Sequence, residues 1–256
     1  MRAENQTARR RRLSLFSLLN YRIFVSLKRK ARKTLSMKQC TLQSDFKLSG
    51  VGLHTGEECT IHVKPAPSNH GYQFIRVDLE GAPDLFADPN AVVSTNRGTS
   101  LKKDEMEVHT VEHILSALFG SGIDNAIIEL EGPEVPILDG SAEAFVKEIK
   151  QAGIEEQKED REVFVIEEPI KYHDALTGAE LLALPSEEFE ITTLIDFNSD
   201  VIGAQFAQLT NLELYQEEIA PSRTFVFVRE LEQLMDMGLI KGGSLENAVV
   251  IADQSI

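Results

Sequence analysis

The spacing of apolar side chains changes period along this chain, and that change restricts the folds open to it. In "CTIHVKPAP" (59–67), Cys59, Ile61 and Val63 alternate with Thr60, His62 and Lys64 before two prolines close the run. That is the pattern of a half-buried strand. "YQFIRVDL" (72–79) reads as its partner across the turn "SNHG". Residues 80–100 are rich in Pro and Asp and hold short strands at most. The period then lengthens: Val111, Ile114, Leu115, Leu118 and Phe119 fall on one face of a helix over 109–120, which Gly120 ends. "NAIIELEG" (125–132) returns to strand, and "PEVPILDGS" (133–141) is a loop stiffened by proline. Ser141 is placed to cap a helix that runs to Gln151 and stops at Gly153.

The second half repeats the order. Strands are predicted at 163–173, 180–186 and 189–197, helices near 210–219 and 229–237, and a strand at 247–253. Strands precede helices in each half, which favours α+β over a doubly wound sheet. The expectation is two similar domains, each layering helices against β-sheet: 37–158 and 159–256, divided near the charged stretch "EEQKEDRE" (155–162). The sequence stops at Ile256 just after a strand, so the second domain is expected to be incomplete.

Charge separates off the first 36 residues. They hold 11 of the 26 Lys and Arg and one acid, Glu4, leaving 15 bases against 40 acids in the remainder. "RRRR" (9–12) precedes the apolar run 13–27, which Asn20 and Arg22 interrupt, so it is too short and too broken to span a bilayer. No small-residue cleavage site follows it. A basic amphipathic helix on a membrane surface is one reading. The preferred reading is a disordered or non-native leader, with Met37 in "MKQCTL" as the natural start. From there, 42% hydrophobic content is enough for a substantial core. The net charge of −15 argues against general nucleic-acid binding. Two cysteines, Cys40 and Cys59, provide neither a disulfide framework nor a cysteine zinc cluster, which fits a reducing, cytoplasmic compartment.

Chemistry concentrates at "HTVEH" (109–113), an H-x-x-E-H pattern. On a helix, positions i and i+4 share a face, so His109 and His113 could both reach one metal ion. Glu112 would then hold or deprotonate the metal's water. An ordinary helix with surface histidines has the same pattern. "LSGVGLHTGEECTIHVKPAP" (48–67) sets Gly50, Gly52 and Gly56 around His54, a composition that lets backbone approach a ligand or another chain segment; a tight hairpin with an exposed His has it too. Asp139 and Ser141 read as residues that satisfy backbone donors at a helix start.

Taken in order, "GVGLHTG", "TVEH", "GIDNAIIE", "PEVPILDGSAEAF", "SRTFVF" and "GLIKGGSLENAVV" resemble the zinc-dependent UDP-3-O-acyl-N-acetylglucosamine deacetylases of lipid A biosynthesis, from about Met37 to Val250. The start and "LIKGGSLENAVVI" are similar to a subgroup fused to a 3-hydroxyacyl carrier-protein dehydratase. The resemblance implies a hydrolase that removes the N-acetyl group from a UDP-acyl-amino sugar, the committed step of lipopolysaccharide lipid A synthesis, with peripheral attachment to the inner membrane surface. Glu112 matches the general base, His113 a zinc ligand, and Thr224 a hydroxyl that helps hold the oxyanion. Phe225 and the helix after it, with Leu231, Leu234 and Met235, match a channel for the acyl chain; a plain core helix would account for those residues as well. His54 matches a histidine near the active site. His109 matches a position where the family does not need His.

The resemblance also implies two further zinc ligands from a His-Lys-x-x-x-Asp motif and a general-acid His. The six histidines of this chain, at 54, 62, 70, 109, 113 and 173, stand in no such motif. The expectation is a fragment that binds zinc poorly and turns over little. Two alternatives remain: a metallopeptidase using His109, His113 and Glu187 or Glu188, and a non-catalytic remnant that keeps the sugar–acyl cleft.

Overall fold

A computed structural model describes residues 20–27, as backbone, and 37–252. Strand β1 is Asn20–Leu27; β2 (Lys38–Leu42), β3 (Phe46–Val51), β4 (Glu58–Pro65), β5 (Tyr72–Arg76) and β6 (Asp84–Phe86) follow. Three short strands come next: β7 (Val92–Ser94), β8 (Ser100–Lys103) and β9 (Met106–Val108). Then α1 (Glu112–Gly120), β10 (Ala126–Glu131), α2 (Glu143–Ala152) and β11 (Ile154–Asp160) complete the first half. The second half has β12 (Ile170–His173), β13 (Glu180–Pro185), β14 (Glu190–Asp196), β15 (Ala204–Leu209), a short α3 (Tyr215–Glu218), β16 (Phe225–Phe227), α4 (Val228–Asp236) and β17 (Val249–Ile251). The mixture of separate sheets and helices is compatible with α+β.

The main core lies between a five-stranded sheet, order β3-β4-β10-β5-β6, and the pair α1 and α2. β4 buries Cys59, Ile61 and Val63 and leaves Thr60, His62 and Lys64 half-buried, the alternation read from sequence. Its neighbour is not β5, however. β10 lies between them, antiparallel to β4 and parallel to β5. β10 buries Ala126, Ile128 and Leu130 on the helix side, and a central place covers that apolar face better than an edge does. α1 contributes Ile114, Ala117 and Leu118, and α2 contributes Phe145, Val146 and Ile149. Each of these side chains other than Ala117 is worth about 1.5–3 kcal/mol when taken from water. Phe119, read as part of the same face, is 47% exposed and packs edge-on against Phe189.

The charged stretch 154–160 is itself a strand, β11, paired antiparallel with β2. In the second half, β12-β13-β1-β14-β15 form another five-stranded sheet. Asn20–Leu27, expected in a leader apart from the fold, are a strand at the middle of that sheet, parallel to β13 and antiparallel to β14. "RRRR" (9–12) lies outside the described residues. Regular pairing begins at Ile170 rather than at 163, and Val163, Phe164 and Val165 are exposed. The helix expected near 210–219 is a 3-10 turn (Leu212–Leu214) followed by α3. Among the described residues no helix is long and apolar enough to cross a membrane.

Candidate active site

α1 starts three residues later than its apolar spacing suggests, and this decides the histidine question. Thr110 has φ +56°, outside the helical region. His109 is strand-like: its N–H donates to the Pro133 carbonyl (3.0 Å), and its carbonyl accepts from Val135 N–H (3.1 Å). Its Nδ1 lies 2.9 Å from Ser100 Oγ. His109 and His113 therefore do not share a helical face, and the two-histidine reading of H-x-x-E-H fails on geometry. Glu187 and Glu188 are exposed in the β13–β14 loop.

Glu112 opens α1, where the partial positive charge of the helix N-terminus favours a carboxylate. Its Oε2 accepts the Thr99 N–H at 2.9 Å. The loop joining β7 to β8 thus runs directly over Glu112. The Arg97 carbonyl of that loop lies 3.1 Å from His54 Nε2, so Nε2 carries the hydrogen and donates it. His54 Nδ1 is buried and has no hydrogen-bond partner. Gly98 sits between these groups: a Cβ there would lie 3.2 Å from His54 Nε2, 3.5 Å from Glu112 Oε1 and 3.5 Å from Thr110 Oγ1. The missing side chain leaves a small cradle flanked by an imidazole, a carboxylate and a hydroxyl.

His113 follows Glu112 on α1 and also feels the loop before α2, through the Asp139 charge and the Ser141 backbone. Burial pushes its imidazole below the ordinary histidine range, against the opposing pull of Glu112, Asp139 and the Ser141 backbone. The neutral ring that results is the form that ligates a metal ion. Asp139 Oδ1 accepts from Ser141 N–H (3.1 Å) and Oγ–H (2.8 Å), and Ser141 Oγ accepts the Glu143 N–H (3.1 Å). Both residues organise the start of α2, as their sequence context suggests, while Asp139 also acts on His113 through its charge.

Thr224 joins the site from the second half. Its N–H donates to the Gly140 carbonyl at 2.7 Å. Gly140 is at φ +86°, and a Cβ there would lie 2.0 Å from the Asn247 carbonyl, so glycine alone fits. Phe225 stacks edge-on with Phe197 and Phe227, with ring centres 5.2 and 5.8 Å apart. On α4, Leu234 is buried, Leu231 half-buried and Met235 exposed. Arg97 reaches across to α4 and clasps Glu230 with two bonds, 2.7 and 3.2 Å. The loop over Glu112 is thereby fastened to the helix after Phe225. A separate apolar cavity of about 350 Å³ lies one turn further along α1, between Ser116, Phe119, Ile191, Leu209, Tyr215 and Ile219.

A catalytic zinc takes three protein ligands and one open position. His113 suits one of them. Among the described residues no group of three His, Cys, Asp or Glu is placed to hold a metal ion, so these residues do not complete such a site on their own. Sequence reading missed Gly98, Arg97 and the buried pair Thr110 and Glu134, whose side chains bond to each other while Glu134 also accepts from the His54 loop. The acid between prolines in "PEVP" was the one visible hint.

A family model described as LpxC, UDP-3-O-acyl N-acetylglycosamine deacetylase, matches residues 39–256. The chain is 47% identical over 220 residues to a bifunctional enzyme LpxC/FabZ of Bacteroides thetaiotaomicron, covering 86% of this chain and 48% of that protein. It is 48% identical over 219 residues to a protein of the same description from Porphyromonas gingivalis, covering 86% and 47%. A UDP-3-O-acyl-N-acetylglucosamine deacetylase of Myxococcus xanthus is 43% identical over 222 residues, covering 86% and 70%. The chain spans about half the length of the bifunctional relatives. It belongs to the UDP-3-O-acyl N-acetylglycosamine deacetylase family.

Proposed function

We propose that this member of the deacetylase family acts on UDP-3-O-acyl-N-acetylglucosamine, releasing acetate from its 2-acetamido group. One observation carries the reading: His54, Glu112, His113 and Thr224, from three separate sequence blocks, meet at the loops at the start of α1 and α2. Glu112 is the general base, fixed through one oxygen by Thr99 N–H with the other turned towards the Gly98 cradle. The Thr224 hydroxyl serves the oxyanion that develops on the acetamide carbonyl, and one such donor is worth about 10²–10³ in rate. His54 and Phe225 contact the substrate, the first at the polar end and the second, with Leu231 and Met235 of α4, along the acyl chain. His113 is one ligand of a zinc ion. When bound, zinc polarises a carbonyl and lowers the pKa of its water towards 7.

His113 is the one ligand for that ion among the described residues, and the reading carries the expectation of weak zinc binding and low turnover. That shortfall favours one second reading: a non-catalytic module that keeps the sugar–acyl cleft. Free Cys40 and Cys59 agree with a cytoplasmic setting, and the acyl chain of the substrate agrees with peripheral attachment to the inner membrane surface. The decisive measurement is acetate release from UDP-3-O-acyl-N-acetylglucosamine with added zinc, alongside calorimetric binding of substrate and of zinc. Turnover lost in Glu112→Gln supports the enzyme; binding without turnover supports the module; neither binding nor turnover sinks both. Robust turnover by the 256 residues would refute the expectation of impaired activity.

A further inference from the structure

One carboxylate that the proposed chemistry does not use ties the site together. Glu134 is fully buried. Its Oε1 accepts from His54 N–H (3.0 Å) and Thr110 Oγ–H (2.6 Å). Its Oε2 accepts from Thr55 N–H (2.8 Å) and Thr55 Oγ–H (2.9 Å), with His54 N–H 3.1 Å away. Two loops distant in sequence therefore close on a single side chain. One carries His54; the other is the turn that launches Glu112. That turn holds Thr110 at φ +56°, a conformation a threonine keeps only where its surroundings impose it. Gly52 forms the floor of the seat, since a Cβ there would lie 2.5 Å from Glu134 Oε2.

We propose that Glu134 is a positioning residue of this site: by accepting hydrogen bonds from both loops at once, it sets the placement of His54 relative to Glu112. The proposal rests on the deacetylase reading for what those two groups do, but the clamp itself is geometric. Burial alone would raise the Glu134 pKa, yet the Thr110 hydroxyl and the Thr55 and His54 donors outweigh it and hold the carboxyl below its usual range. Glu134 is thus an ionised acceptor at neutral pH. Glutamine cannot replace it, because half of its amide presents N–H to groups that are themselves donors. Aspartate is one methylene too short to reach both loops.

The test compares kcat and KM for the full chain, Glu134→Gln, Glu134→Asp, Thr110→Val and Thr55→Val, per folded molecule and across the neutral pH range. Glu134→Gln is expected to lower kcat about 100-fold, the scale of a small misplacement of reacting groups. KM should stay within about 3-fold, and the loss should be equal at every pH. Thr110→Val should lose less and add little in combination with Glu134→Gln, because both break the same clamp. Parent kcat in folded Glu134→Gln overturns the proposal, as does rescue by Glu134→Asp. If Glu134→Gln does not fold, parent kcat in both folded threonine variants overturns it. Amide NMR separates this outcome from failure of the deacetylase reading. Should the parent neither bind nor turn over the substrate, that reading fails, and a shift at Thr99, the donor to Glu112, in Thr110→Val still supports the clamp. Shifts confined to 53–55 and 109–111 overturn it.

Discussion

Gly52→Ala puts the tightness of the Glu134 seat to a direct stability test. An added Cβ would lie 2.5 Å from both Glu134 Oε2 and Thr55 Oγ1, and 3.0 Å from Glu134 Cβ. The methyl has nowhere to go without moving the carboxylate. Overpacking of this kind costs about 1–3 kcal/mol. Displacing Oε2 also loses at least one hydrogen bond to a charged group, about 1.5–3 kcal/mol more. The two together give about 2.5–6 kcal/mol. With a urea m-value of about 2 kcal/mol/M, the midpoint should fall by about 1.2–3 M. The chain has no Trp, so far-UV circular dichroism is the suitable probe. Gly71→Ala is the control: Gly71 is at φ +73° with nothing within 4 Å of the added atom, so it should show only the left-handed backbone cost, about 1–2 kcal/mol. A midpoint for Gly52→Ala no lower than for Gly71→Ala would refute a rigid seat.

Four further outcomes are expected. Glu112→Gln should cut turnover about 10²–10⁴-fold with little change in KM, as for loss of a general base; a drop under about tenfold in steady-state assays contradicts that role. His113→Ala should abolish zinc binding measured by calorimetry while His109→Ala leaves it unchanged; loss of binding in both variants would restore the metallopeptidase reading. Glu134 has a folded pKa below its unfolded value of about 4.3, so its contribution to stability is complete above that pH and is lost as pH falls through the folded value. Acid unfolding of the parent should therefore steepen below about pH 4.3, and Glu134→Gln should flatten that limb in pH-dependent melts. Deleting residues 1–36 removes β1 from between β13 and β14, so amides of those two strands should lose hydrogen-exchange protection; unchanged protection would show that β1 does not hold the sheet.

Local pattern was enough where one element buries one face. The alternation of β4 and the capped, glycine-ended α2 could be read because side-chain period and end chemistry act within a few residues. It failed where pairing partners lie far apart. β10 separates β4 from β5 although a turn suggested direct pairing, and β11 hides its strand character behind acids and a lysine that face solvent. α1 starts later than its apolar spacing suggests because Thr110, at φ +56°, bonds instead to Glu134, a residue 24 positions later. The site showed the same division. Glu112, His113, His54 and Thr224 stood out in their motifs, whereas Gly98 and Arg97 matter through contacts that only the folded chain creates.

The order in which the clamp's parts are synthesised has a consequence for the newborn chain. Its donors leave the ribosome first, and the acceptor follows 80 residues after His54. At about 5–20 residues per second, the loop carrying that histidine waits roughly 4–16 s for the side chain that seats it. Until then the His54 and Thr55 N–H groups lack the acceptor they have in the folded chain, and chaperones and proteases meet an unfinished loop.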